Sequence, residues 1–137
     1  MTDRRIDGFF YGLFMDDDVL REYNVLAEDP RRGYVDGYAL RIGRRAALVP
    51  VSGARAYGMV FALTHDELER LYSAPGLEQY RPEAVLAHLM EGEVLPALCY
   101  NLREAPASNE SNAGYATRLR AALARLGFPS DYVSSVS

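Results

Sequence analysis

The sequence predicts an α+β fold, and three observations carry that expectation. Apolar runs of strand length outnumber helical stretches, the runs cluster as meanders, and no repeat or linker divides the 137 residues. The regular strand–helix alternation of a doubly wound parallel sheet is missing. A chain of this length buries roughly two-thirds of its unfolded surface, so residues 1–137 are expected to form a single domain around one core.

The elements follow in order. Residues 6–14 are apolar and aromatic, set between Asp3-Arg4-Arg5 and Asp16-Asp17-Asp18, and predict a buried strand containing Gly8 and Gly12. Residues 16–27 predict a helix: its aspartates complement the helix dipole, Val19, Leu20, Tyr23 and Leu26 mark one face, and Pro30 stops it. From residue 33 to residue 63 the period becomes two, which predicts three strands. They span 34–42, 46–51 and 56–63, with turns at Gly43-Arg44-Arg45 and Ser52-Gly53. Thr64-His65-Asp66-Glu67 is a capping box opening a short helix to about Leu71. Residues 72–79 carry Pro75-Gly76 and predict a loop. Strands at 80–88 and 94–102 flank the turn Glu91-Gly92-Glu93, and 103–112 is a polar loop. A helix then carries Tyr115, Leu119, Ala122, Leu123 and Leu126 on one face, with Gly127 as its cap. A last helical turn follows Pro129, so the predicted order is β-α-β-β-β-α-β-β-α-α.

Composition excludes several chemistries. All 15 basic residues are arginine, with no lysine, so a P-loop, a Schiff base and a Ser-Lys dyad are ruled out. One cysteine, Cys99, allows neither an intramolecular disulfide nor a Cys-rich zinc site. The formal net charge of -4 argues against a general nucleic-acid binder. The first apolar stretch is too short for a membrane span or a signal peptide, so the expected location is cytoplasmic, with no membrane partner.

Among candidate constellations, His65 and His88 lack metal-site spacing, and neither a metal nor a cofactor is expected. A Cys99–His88 pair on adjacent strands is conceivable, against an apolar buried thiol in the run 95–100. The doublets Arg4-Arg5, Arg31-Arg32 and Arg44-Arg45 read as turn and strand-end residues rather than phosphate sites, and Asp16–Asp18 as a helix start rather than a cation site. Tyr11-Gly12, at the end of the first strand, places backbone amides on an unobstructed turn, where they can hold a carboxylate or an oxyanion.

That turn is where the chain resembles a family. Phe9-Phe10-Tyr11-Gly12-Leu13-Phe14-Met15 is similar to the strand and loop of the γ-glutamyl cyclotransferase-like (AIG2-like) proteins. The resemblance continues through Val35-Asp36-Gly37-Tyr38-Ala39-Leu40, Leu48-Val49-Pro50-Val51-Ser52-Gly53 and Ala56-Tyr57-Gly58-Met59-Val60-Phe61. It also takes in the helix of residues 63–71, the strands carrying Tyr80 and Tyr100, and Leu126-Gly127-Phe128-Pro129-Ser130-Asp131-Tyr132-Val133, an ending similar to that of bacterial members.

The resemblance implies a small mixed β-barrel of five to six strands with flanking helices and a cavity at one end. It also implies release of 5-oxoproline from a γ-glutamyl amine or amide by intramolecular aminolysis, which needs a general base, oxyanion donors and a folded substrate. Tyr11, Gly12, Leu13 and Phe14, with Tyr80 and Tyr100, become the expected substrate-binding residues. The family's base is a glutamate after the short helix, and that register here reads Leu71-Tyr72-Ser73-Ala74-Pro75-Gly76, with Pro75 at the glutamate's position. Glu78 is the expected substitute, Glu83 the fallback. The alternative is a non-catalytic module of the same fold that binds a small carboxylate or amine.

Overall fold

The computed structural model describes residues 4–137. Asp3, expected to help bound the first strand, lies outside the described residues. Five strands form a closed barrel: β1 (Arg5–Phe10), β2 (Glu28–Ile42), β3 (Ala46–Thr64), β4 (Tyr80–Leu89) and β5 (Val94–Leu102). Around it lie α1 (Asp17–Glu22), α2 (His65–Tyr72), α3 (Ala113–Arg125) and α4 (Ser130–Ser135). The spatial order is β1-β3-β2-β4-β5, closed where Gly8 of β1 pairs parallel with Leu98 of β5. All other pairings are antiparallel. Among the described residues, no helix is long and apolar enough to cross a membrane.

Three expectations need correction. The first strand ends at Phe10 rather than at residue 14, because Met15 N–H and Asp16 N–H donate to Gly12 and Leu13 carbonyls and wind Leu13–Met15 into a 3-10 turn. The helix expected over 16–27 is only α1, stopped where Asn24 turns to φ 59. Pro30 belongs to β2, at a register shift between Glu28 and Arg31 where its missing N–H leaves no ladder bond unmade. The two strands expected over 46–51 and 56–63 are one, β3. Gly53 (φ 81) carries it through a bend that faces Gly37 (φ 83), the site of a matching register shift in β2.

The capping box forms as its motif requires. Thr64 Oγ1 accepts from Glu67 N–H at 3.2 Å and Glu67 Oε1 accepts from Thr64 N–H at 2.9 Å. The other Glu67 oxygen accepts from Leu26 N–H, tying α2 to the start of β2. Glycine is forced at position 58, where an added Cβ would collide with the Phe10 carbonyl of the neighbouring strand.

One side chain completes the barrel where strands do not pair. Asn101, the buried polar residue of β5, accepts from Leu48 N–H at 2.9 Å and donates to the Leu48 carbonyl at 2.9 Å, copying a backbone bridge between β5 and β3. Its Oδ1 also accepts from the Tyr11 hydroxyl, and its Nδ2 donates to Glu83 Oε1.

Candidate functional site

A cavity of about 640 Å³ opens at the end of the barrel where β1 gives way to the 3-10 turn. One wall is the segment from Phe10 to Phe14 with Val19, Glu22 and Tyr23 of α1. The β2–β3 turn and the first residue of β3 supply Arg44, Arg45 and Ala46, and the end of α2 with the loop after it supplies Tyr72, Pro75 and Leu77. Tyr80 of β4 and Tyr115 and Arg118 of α3 complete it.

The expected residues divide. Tyr11, Gly12, Leu13, Phe14 and Tyr80 all line the cavity. Tyr100 stands behind the wall: its ring stacks on Tyr72 at 4.0 Å, and its carbonyl accepts from the Tyr11 hydroxyl at 3.0 Å. Glu78 does not reach the cavity. Its exposed carboxylate bends back to accept from Gly76 N–H at 3.0 Å, and that bond, then the Arg45 charge, holds it below the usual carboxylate range. A carboxylate pinned by an amide and made less basic is a poor proton acceptor. Glu83 faces Asn101 at 3.1 Å, outside the cavity lining. Pro75 is part of the wall, as is Glu22, an exposed residue at the mouth and the one carboxylate of the lining.

Cys99 and His88 are not a pair. Cys99 sits opposite Glu83 and His88 opposite Val94, five residues apart along the same ladder. Burial, and secondarily Glu83, pushes the thiol far up, while the His88 ring stacks on Tyr34 at 5.0 Å. Among the described residues, no three His, Cys, Asp or Glu side chains gather as a metal site would need.

The interior is a layer of phenols. Tyr11 donates to the Tyr100 carbonyl and Tyr80 to the Ala46 carbonyl. Tyr115 instead accepts: Leu13 N–H donates to its hydroxyl at 3.0 Å. The turn amide expected to hold a ligand oxygen is thus met by an oxygen of the chain itself, which lies so close over Gly12 that an added Cβ would strike it. Burial raises Tyr11, Tyr72, Tyr80 and Tyr115; for Tyr115, the Leu13 amide and Arg118 oppose the rise. These groups stay protonated near neutrality, so they can give a hydrogen bond, as Tyr11 and Tyr80 do, and are not bases.

Sequence reasoning missed Tyr72, Tyr115 and the three arginines. Tyr115 was visible only as an apolar-face helix residue. Its partner Leu13 lies 102 residues away, and no local pattern reports such a meeting.

Comparison with known proteins matches the fold that holds this site. No curated protein matches the chain in sequence. Among solved structures, one titled "Gamma-glutamyl cyclotransferase" superposes with a TM-score of 0.80 at 14% identity, over 97% of this chain and 88% of that one. The human uncharacterized protein loc79017 gives 0.81 at 15% identity, over 98% and 89%. YkqA from Bacillus subtilis gives 0.75 at 21% identity, over 95% of this chain and 52% of its own. At these identities the likeness is one of fold. The sequence itself matches the family model "Gamma-glutamyl cyclotransferase, AIG2-like" over residues 8–117, a span that begins in β1 and ends just past Tyr115, taking in the barrel and all but Arg118 of the cavity wall. The chain therefore belongs to the γ-glutamyl cyclotransferase, AIG2-like family.

Proposed function

We propose that the cavity binds a small γ-glutamyl compound or a related carboxylate and does not turn it over. The observation that carries this reading is the pairing of Pro75 in the wall with Glu78 turned away from it. Aminolysis within a γ-glutamyl group needs one group to take a proton from the attacking amine and return it to the leaving nitrogen. Proline has no such group, and the phenols around it are weak bases held protonated. Binding needs only a shaped cavity and donors, and both are present. Family membership supports the γ-glutamyl part of the proposal. A single buried thiol fits a reducing, cytoplasmic setting.

The test is to incubate the purified protein with a panel of γ-glutamyl amines, amides and amino acids, measuring binding by calorimetry and 5-oxoproline by chromatography. Binding without product, in wild type and Glu78→Gln alike, is expected. Product formation that disappears in Glu78→Gln would overturn the proposal and restore Glu78 as the base.

A further inference from the structure

Most arginines in this chain are engaged. Arg5, Arg21, Arg31, Arg55 and Arg125 pair with carboxylates, and Arg32, Arg70 and Arg120 donate to carbonyls. Arg4, Arg41, Arg44, Arg45, Arg103 and Arg118 differ: among the described residues, none of their guanidinium groups has a carboxylate oxygen within 4.0 Å, and none donates a hydrogen bond to a protein acceptor. Of these, Arg44, Arg45 and Arg118 line the same cavity, two from the β2–β3 turn and one from α3.

Their backbones are held in place. The Asn112 side chain, which caps α3, also donates to the Arg44 carbonyl at 3.2 Å, fastening the helix that carries Arg118 to the turn. Arg44 N–H donates to Glu110 Oε1 at 3.1 Å. The Arg45 guanidinium lies over Gly76, where an added Cβ would stand close against it.

The acidic groups nearby offset this set only in part. Glu78 and Glu110 keep their charge and feel the arginines, but neither has an oxygen within 4.0 Å of the three guanidinium groups, and each turns oxygen to backbone amides, Gly76 for the one and Arg44 with Ala107 for the other. Glu22 is the single opposing charge on the wall. Deeper in, the Tyr115 hydroxyl accepts from Leu13 and keeps its own proton to give. The cavity therefore presents donors at two depths, phenolic inside and guanidinium at the mouth.

We propose that Arg44, Arg45 and Arg118 form a second, anion-holding subsite, so that the ligand is a dicarboxylate with one acid group inside and the other at the mouth. A guanidinium fork grips a carboxylate in two parallel bonds, and a protein of net charge -4 that gathers three unpaired cations around one opening attracts an anion there specifically. This inference rests on the small-carboxylate reading of the cavity.

The experiment uses a matched pair of probes, γ-glutamyl-4-aminobutyrate and γ-glutamyl-n-propylamine, which differ by the terminal carboxylate alone. The dicarboxylate should bind about tenfold more tightly, which is about 1.4 kcal/mol. That advantage should shrink below about twofold in Arg44→Gln/Arg45→Gln/Arg118→Gln and at high ionic strength, while the propylamine affinity holds. If the triple variant fails to fold, Arg118→Gln alone, on an exposed helix position, should lose part of the advantage. Equal affinities in the wild type overturn the subsite while leaving the γ-glutamyl reading intact. If neither probe binds, glutarate decides: binding that depends on the arginines keeps the subsite and retires the γ-glutamyl reading, and absent or arginine-independent binding overturns the subsite.

Discussion

Asn101→Leu is the sharpest test of how this barrel is closed. Leucine has a similar volume and is well placed in an apolar interior, so the substitution removes polarity without opening a cavity. It strips Leu48, itself 3% exposed, of the partners for both its N–H and its carbonyl. A buried backbone group left unpaired costs about 1–3 kcal/mol, and two are created. Tyr11 keeps the Tyr100 carbonyl, and Glu83 loses one bond at a part-buried position where water can replace it. After a gain of about 1 kcal/mol for the added apolar surface, the net loss is about 1–5 kcal/mol, a large part of a typical total of about 5–15. At roughly 3 °C for each kcal/mol in a chain of this size, Tm falls by about 3–15 °C. Thermal and urea unfolding followed by circular dichroism give the number. A loss under about 1 kcal/mol would refute the reasoning, because it would mean that Leu48 finds other partners.

Three further outcomes are expected. Gly12→Ala forces a methyl group into the Tyr115 hydroxyl while the backbone there (φ -111) suits any residue, so it should cost about 1–3 kcal/mol in the wild type and much less in Tyr115→Phe; additive effects in that double-mutant cycle would contradict the contact. Burial raises Cys99 above its ordinary 9.0 and Tyr11, Tyr72 and Tyr80 above 10.0, with Tyr132 pushed up to about 12, so the folded state holds protons that the unfolded state releases. That stability is complete below about pH 9 and drains as pH climbs past 10, and a native-state phenolate signal at 295 nm near pH 10 that accounted for all the tyrosines would argue against it. Thr64→Ala should lower stability by about 1 kcal/mol in urea unfolding through loss of the α2 cap, and an unchanged midpoint would show that Glu67 holds the helix start alone.

The parts of the fold written in short-range pattern were legible. The Thr64–Glu67 box needs only four consecutive residues, and the Tyr11–Phe14 turn announced its position in the cavity. Ser52-Gly53 misled because its local chemistry is that of a turn, whereas pairing with β2 on both sides of the bend keeps β3 running through it. Glu78 was placed on the correct loop, yet its direction is set by one bond to Gly76, which sequence position does not encode. Asn101 gave no signal because its partner Leu48 lies 53 residues away.

The seam between β1 and β5 has a consequence for motion. A closed sheet normally leaves no unzipped margin, but these two strands share one backbone pair, Gly8 with Leu98, and the neighbouring gap to β3 is bridged by a side chain. Local opening is therefore cheap along this line, as it is at the two-pair β2–β4 contact, and its amide hydrogens should exchange before those of the β2–β3 and β4–β5 ladders. Tyr11 leaves from one margin and Tyr100 stands on the other, so parting the seam also parts the floor of the cavity. Occupancy and closure become one linked equilibrium, and any ligand that needs the floor intact will slow exchange at a seam that it never touches.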